Sequence, residues 1–407
     1  MIRLPVAKET AAALKSGSDK RWRCRRLQRL LTARIQHNSE QSSDPHGLTF
    51  LIHFCLTIKS VLLYAWQSLQ GTIVNPEDLE EWLSRPADNL IKGLEQLAGD
   101  IIVLGAGGKM GPSLARMARR ALPGSRNVFA VSRFSSATAK AELERHGVQA
   151  ISCDLLDRNA VARLPDAASV IFMAGQKFGT SVAPELTWMI NSVVPSIVAE
   201  RYAGSRMVVF STGCVYPLTT AASGGSIESD GLAPPGEYAS SCVARERVFT
   251  HYSRATQTPV LIFRLNYAID LRYGVLHDIA QKVWKGQAVD VTTGHVNVIW
   301  QGDANARALQ SLALATSPPS ILNVTGRECI SVRWLADRFA KLMKRRLQIT
   351  GIETDKAWLS NATKSFDLFG EVSVSLDQMI QATAAWVENG GQSLGKPTHF
   401  ETNDGKF

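Results

Sequence analysis

The sequence predicts an α/β protein: a doubly wound, mainly parallel sheet, a small C-terminal domain and an N-terminal helical arm. Three observations carry this. Residues 101–104, IIVL, form a short all-apolar run, the pattern of a parallel strand covered on both faces. Gly105, Gly107, Gly108 and Gly111 follow at once, and a helical pattern begins at Ser113 and runs through Leu114, Met117 and Leu122. Further short apolar runs recur at 128–131, 150–153, 169–173 and 207–210, separated by helix-length segments, as in a parallel sheet.

Length and composition bound the answer. The 407 residues suit about two to three domains. With 45% hydrophobic and 20% charged residues, the collagen-like, fully disordered and multi-span membrane classes are excluded. The cysteines are Cys24, Cys55, Cys153, Cys214, Cys242 and Cys329. None forms a C-x-x-C pair, so neither a zinc knuckle nor a disulfide framework is indicated, and a reducing, cytoplasmic setting fits. His251 and His295 have no partner pattern, so no metal site is expected.

The net charge of +9 is unevenly spread. Residues 1–36 hold ten Lys/Arg against Glu9 and Asp19, which leaves the body near neutral. A basic arm of this kind reads as a solvated tail, with non-specific binding of nucleic acid or anionic membrane through residues 1–36 as the other reading. The one long apolar run, 48–66, is interrupted by His53 and Lys59. A lysine near mid-membrane costs about 2.5–3.5 kcal/mol, so a buried or partner-contacting helix fits better than a span. Neither a membrane nor a nucleic-acid partner is expected. No methionine lies between Met1 and Met110, and a non-Met start near Val74 would leave residues 1–73 outside the native protein.

The expected organisation is an extension over 1–73, a helical arm over 74–99, a nucleotide-binding domain over 100–268, a second domain over 269–392 and a flexible tail over 393–407. In the arm, Asn75-Pro76-Glu77-Asp78 reads as an N-cap, a first-turn proline and acids that complement the helix dipole. Pro86 opens a second helix with Leu90, Ile91, Leu94 and Leu97 at helical spacing.

The strand–glycine turn–helix order gives the glycines chemical meaning. Glycine allows positive φ and lets backbone approach a pyrophosphate, which the free N–H groups of the helix N-terminus then hold. G-x-G-x-x-G fails by one residue, whereas G-x-x-G-x-x-G fits at Gly105, Gly108 and Gly111, with Met110 inside the turn.

This spacing resembles the extended short-chain dehydrogenase/reductase family, the NAD-dependent epimerases and dehydratases, which have a Rossmann-type fold. The resemblance continues in order through residue 392. The second strand ends in Ser132-Arg133, where NAD-preferring relatives carry an acid for the ribose 2′-OH. An arginine suits a 2′-phosphate, so NADP is favoured over NAD. Asp154-Leu155 looks like the family's adenine-contacting pair, and Ala174-Gly175 matches the small residues that relatives pass under the cofactor. Asn191 matches the family's helix asparagine. The segment Ser211 to Tyr216 resembles S-[ST]-x-x-V-Y, which implies that Thr212 hydrogen-bonds a substrate oxygen. Glu228, the run Pro234 to Tyr238, Arg264-Leu265-Asn266, Asp303 and Asn323 to Gly326 resemble later landmarks, with Tyr238 at the catalytic tyrosine.

The family's Tyr-x-x-x-Lys is broken. The segment is Tyr238-Ala239-Ser240-Ser241-Cys242, with a cysteine in the lysine's place, while Glu246 keeps the register. A tyrosine with an ordinary pKa of about 10 is about one part in a thousand phenolate at pH 7, so Tyr238 without a cation is a poor base and can still donate a proton. Arg245 lies on the same helix face and could reach back. Cys242 reads as a buried thiol rather than a nucleophile.

In the C-terminal part, 331–343 is an amphipathic helix with Val332, Leu335, Phe339 and Leu342 inward, and Leu376, Met379, Ile380 and Trp386 mark another. In relatives this region supplies the substrate pocket. Asp270, Arg272 and Tyr273 are pocket candidates by position, with helix capping or surface pairing as the other reading. Two functions stay open. One is an NAD(P)-dependent oxidoreductase, epimerase or dehydratase acting on a hydroxyl- or carbonyl-bearing, sugar-derived small molecule, with altered catalysis. The other is a non-catalytic NAD(P)-binding sensor or partner-binding protein. A homodimer is an option in either.

Overall fold

The computed structural model describes residues 75–134, 137–180, 182–396, 398–402 and 404–405. The basic arm, the apolar run 48–66, Cys24 and Cys55 lie outside the described residues. The described residues belong to one unit, Gly71–Phe407.

Seven parallel strands form the central sheet: β1 Ile101–Leu104, β2 Val128–Ser132, β3 Gln149–Ser152, β4 Ser169–Phe172, β5 Arg206–Thr212, β6 Val260–Leu265 and β7 Ser320–Val324. Their spatial order is β7-β6-β5-β4-β1-β2-β3. The chain therefore reverses direction across the sheet between β1 and β4, which pair in register from Ile101↔Ser169 to Leu104↔Phe172. Such a switch point opens a crevice at the carboxyl ends of the strands, where ligands bind in open α/β sheets.

Helices cover both faces. They are α1 Pro76–Leu83, α2 Asp88–Glu95, α3 Gly111–Ala121, α4 Ala137–Arg145, α5 Arg158–Ala162, α6 Pro184–Trp188, α7 Val194–Arg201 and α8 Gly236–Thr256. After these come α9 Val275–Trp284, α10 Gln301–Gln310, α11 Val332–Leu342, α12 Thr363–Phe369 and α13 Leu376–Glu388. Alternate β1 residues enter different cores: Ile101 and Val103 pack with α2, α3 and α10, while Ile102 and Leu104 pack with α7 and α8. A third core joins α9, α11 and α13 with Leu79 and Leu83 of α1.

Local expectations are met at α1, where the Asn75 side chain accepts from the Asp78 N–H at 2.9 Å, and at α11, which Ser331 caps. The helical arm is part of the body, for Glu81 of α1 pairs with Arg116 and Arg120 of α3. The division at residue 268 is not clean in space, because α10 and β7 return to the sheet.

The tail departs from the expectation of a mobile end. Phe400 is buried in the third core, Thr293 Oγ1 donates to the Phe400 carbonyl, and Asp278 of α9 holds both the N–H and the hydroxyl of Thr398. A single aromatic in a polar, glycine-rich stretch anchors it, and composition alone hides such an anchor.

Candidate active site

The glycine turn folds as its residues require. Gly105 has φ +92°, and a Cβ there would come 2.4 Å from the Ala174 nitrogen. A Cβ on Gly111 would come 2.3 Å from the Ala106 carbonyl oxygen, so the third glycine lets α3 start directly against the turn. These two are explained by packing alone. Gly108 is not: its nearest protein atom would be 3.5 Å from a Cβ, an ordinary contact, and it lines the cleft. The absence of a side chain there fits a ligand that needs the backbone bare. α3 has no side-chain cap and no acid in its first turn, so none of its own side chains occupies its free N–H groups or offsets its positive end.

The cleft has a volume of about 370 Å³ and collects the predicted residues: Gly105 and Gly108 at the turn, Arg133 after β2, Asp154 and Leu155 after β3, Ala174 and Gly175 after β4. Arg133 and Asp154 are exposed on its walls, and Asp154 accepts from the Leu156 N–H at 3.0 Å. Met110 and Gly111 sit behind the turn rather than on the cleft wall, with Met110 as the residue before α3. The surrounding residues fit a dinucleotide.

Asn191 lies behind Gly175, its Oδ1 3.3 Å from where a Cβ would stand. It lies in a π-turn, Met189–Val193, between α6 and α7. Pro195 has no N–H to give the Asn191 carbonyl, the kind of missing bond that opens a helix into a wider turn. The Asn191 side chain accepts from the Gln176 N–H at 2.9 Å, donates to the Gln176 carbonyl at 3.0 Å, and donates to Ser241 Oγ at 2.9 Å. Its Oδ1 also accepts from Arg245 Nη2 at 2.6 Å. One amide thus fastens the loop after β4 to the helix that carries Tyr238.

Thr212 ends β5, its hydroxyl accepts from the Cys214 N–H at 3.2 Å, and it acts on Tyr238, which stands in the first turn of α8. Burial pushes the Tyr238 hydroxyl well above its ordinary pKa, and the neighbouring thiols push it the same way while Arg245 and Thr212 act against them. Cys242 is fully buried, and burial pushes its thiol up to about 11, which agrees with an inert thiol. Arg245 is buried, spends its donors on the Phe210 carbonyl at 2.9 Å and on Asn191 Oδ1, and has no carboxylate partner among the described residues.

Several landmarks serve structure. Arg264 grips Glu246 at 2.6 and 3.0 Å, Ser211 donates to the same carboxylate, and Tyr216 bridges Arg264 and Asn323. Glu228 accepts from the Asn323 N–H, Asn266 donates to the Trp358 carbonyl, and Asp303 accepts from the N–H groups of Ser373 and Val374. Asp270 and Arg272 pair with each other, and Arg272 also pairs with Glu80 of α1, so both follow the pairing alternative. Tyr273 instead lies under the Lys109 ammonium, 3.0 Å from its ring centroid.

Two lysines escaped the sequence reading. Lys109, in the glycine turn, is pushed down to about 7 by burial and by the charges of Lys177 and Lys396. Lys177, just past Gly175, donates to the Thr398 carbonyl at 3.2 Å, and burial pushes its ammonium below the ordinary lysine value. Among the described residues no group of three His, Cys, Asp or Glu side chains could hold a metal ion, and no helix is long and apolar enough to cross a membrane.

Residues 101–285 match the model of the NAD dependent epimerase/dehydratase family. The chain is similar to the solved structure of Pal from Bacillus thuringiensis, at 19% identity over 71% of this chain and 99% of that one, with a TM-score of 0.60. It is also similar to the Thermus thermophilus UDP-glucose 4-epimerase in complex with NAD, at 19% identity, 70% and 97% coverage and a TM-score of 0.59. The Bacillus anthracis dTDP-glucose 4,6-dehydratase in complex with NAD gives 16% identity, 72% and 97% coverage and a TM-score of 0.62. No curated protein sequence matches. The expected family resemblance and the Rossmann-type fold are thereby shown.

Proposed function

We propose that the protein is an NAD(P)-dependent oxidoreductase of the epimerase/dehydratase kind, acting on a hydroxyl- or carbonyl-bearing, sugar-derived small molecule. The observation that carries this reading is the meeting of Thr212 and Tyr238, with the Tyr238 helix fastened by Asn191 to the Gly175 end of the cleft. A bound nicotinamide would supply the hydride, given or taken. The dinucleotide would rest on Gly105 and Gly108, with Met110 and Gly111 behind them and Asp154 and Leu155 at its adenine end. The Thermus thermophilus epimerase and Bacillus anthracis dehydratase structures hold NAD. Exposed Arg133, with no acid at position 132, supports NADP as the preferred form here.

The chain's own share is positioning and proton transfer. Thr212 orients the substrate oxygen, and Tyr238 gives its proton to a carbonyl oxygen that becomes a hydroxyl. Burial raises the Tyr238 hydroxyl's pKa, so the tyrosine is neutral at pH 7 and carries the proton that carbonyl reduction needs. Purified protein with NADPH and a panel of keto-sugar nucleotides tests this: absorbance loss at 340 nm that Tyr238→Phe abolishes supports it, and turnover indifferent to Tyr238→Phe contradicts it.

A second reading, a non-catalytic nucleotide sensor, is favoured by the buried thiol of Cys242 where relatives have lysine. It predicts binding with no turnover on any substrate of the panel. The free thiols of Cys153, Cys214, Cys242 and Cys329 suit a reducing, cytoplasmic setting under either reading. A homodimer is part of the proposal by family resemblance, and sedimentation measures it.

A further inference from the structure

The two lysines that the sequence reading passed over meet on one aromatic ring. Lys109 Nζ stands 4.9 Å from the centroid of Phe178, and Lys177 Nζ stands 5.5 Å from the same centroid. Lys109 also lies 3.0 Å from the ring centroid of Tyr273. Three segments bring them together: the glycine turn after β1, the loop after β4, and the stretch between β6 and α9. The first two leave the carboxyl ends of the strands that pair at the switch point. Asn191 fixes the loop by holding the N–H and the carbonyl of Gln176. Lys109, Lys177, Phe178 and Tyr273 are not part of the nucleotide cleft, whose wall at the turn is Gly105, Gly107 and Gly108. The Lys109 side chain thus leaves the turn towards the C-terminal elements.

The C-terminal tail borders this group. Lys177 Nζ donates to the Thr398 carbonyl at 3.2 Å, the His399 ring lies 6.1 Å from that of Phe178, and Lys396 acts on Lys109 through its charge. Among the described residues, Asp278 of α9 is the one carboxylate that acts on Lys109. Its Oδ2 already accepts from the N–H and the hydroxyl of Thr398, at 2.8 and 2.6 Å. Aromatic faces attract ammonium groups without cancelling their charge. Three lysines therefore gather around a committed carboxylate, and burying like charges together is costly unless an anion joins them. The cost shows in Lys109, which burial and the other two lysines push down to about 7.

We propose that Lys109 and Lys177, with Lys396 of the tail beside them, form a subsite for a doubly charged oxyanion, the phosphate of a phosphorylated substrate held between the glycine turn and the C-terminal elements. Its assignment to a substrate rests on the reading of the cleft as the coenzyme's site, for the coenzyme then occupies the other side of the turn. An ammonium on a flexible stem binds phosphate as a point charge, and a dianion engages two of them at once. The coenzyme's own diphosphate offers the same chemistry, and the test separates the two. Above pH 7 a bound dianion draws a proton onto Lys109, because it favours the ammonium over the neutral amine.

The test reads Lys109 directly. Full-length protein carrying lysine labelled with ¹³C at Cε is titrated by NMR, and Lys109→Met identifies the resonance. The probe is sulfate, whose charge is constant across the titration, compared with chloride at equal ionic strength. In protein saturated with NADP, sulfate is expected to raise the Lys109 midpoint by at least about one pH unit, a tenfold gain in protonation. Lys177→Met is expected to shrink that rise and Lys177→Arg to keep it. Should Lys177→Met not fold, Lys177→Gln makes the same comparison. Lysines that serve packing alone would give one midpoint in both salts, and that result overturns the proposal. A rise that Lys177→Met leaves whole overturns it too, for Lys109 then acts alone. A rise that NADP produces by itself, with nothing added by sulfate, assigns the oxyanion to the coenzyme and likewise overturns it. Calorimetry on the same samples keeps the two readings apart: a sulfate-dependent rise in protein that binds no nicotinamide coenzyme defeats the oxidoreductase reading and leaves the oxyanion site standing.

Discussion

Gly175 lies directly against Arg245: a Cβ on Gly175 would come 2.7 Å from Nη2 of the guanidinium and 3.3 Å from Oδ1 of Asn191. The floor of the cleft is a bare backbone resting on a buried charge. Gly175→Ala must displace Arg245 or the loop, and both are tied to Asn191. We expect NADPH affinity to fall about tenfold, roughly 1.4 kcal/mol, with the far-ultraviolet spectrum unchanged. Calorimetry measures it, and unaltered affinity would mean that this floor does not touch the nucleotide.

Cofactor choice turns on Arg133. Arg133→Ala is expected to weaken NADPH binding tenfold or more, about 1.4 kcal/mol or above, and to leave NADH nearly unaffected. Equal loss for both coenzymes would show that the guanidinium reads something other than the 2′-phosphate.

The buried pair Arg264–Glu246 holds β6 to α8 and is nearly solvent-free, at 3% and 6% side-chain exposure. Glu246→Gln leaves the guanidinium without its counter-charge, so urea unfolding is expected to show a loss of about 3–5 kcal/mol. A loss under about 1 kcal/mol would mean that Tyr216 and the backbone suffice to satisfy Arg264.

Lys109 gives stability a pH dependence. Its folded value is about 7 against an ordinary 10.5, so between these values the unfolded chain binds the extra proton. Stability from this group therefore rises as pH climbs from about 7 towards 10.5, and the penalty is largest below pH 7. Lys177 and Lys396 reinforce that penalty and Asp278 opposes it. Lys109→Met is expected to flatten the rise of Tm between about pH 7 and 10. An unchanged slope would assign the dependence to other groups.

What could be read in the sequence was what is local. The run Ile101 to Leu104, the glycine turn and the Asn75 cap are each written in a few adjacent residues, and each was found in place. Thr212 and Tyr238 were found through a resemblance, and the fold brings them together. Lys177 was missed because its meaning depends on Thr398, far along the chain, and on a π-turn that no periodicity announces. The tail was misjudged for a related reason, since one Phe400 outweighs its polar neighbours once a cavity receives it. Charge complementarity across the fold is a three-dimensional property, and composition does not carry it.

The central claim is that the turn between β1 and α3 holds the diphosphate of a nicotinamide dinucleotide. Calorimetric titration with NADPH, comparing wild type with Gly108→Val, tests it most directly. Gly108 has room for a side chain within the protein, so the variant is expected to fold with near wild-type Tm while binding is lost. Binding that survives Gly108→Val unchanged, or a wild type that gives no heat with any nicotinamide coenzyme at millimolar concentration, would contradict the account.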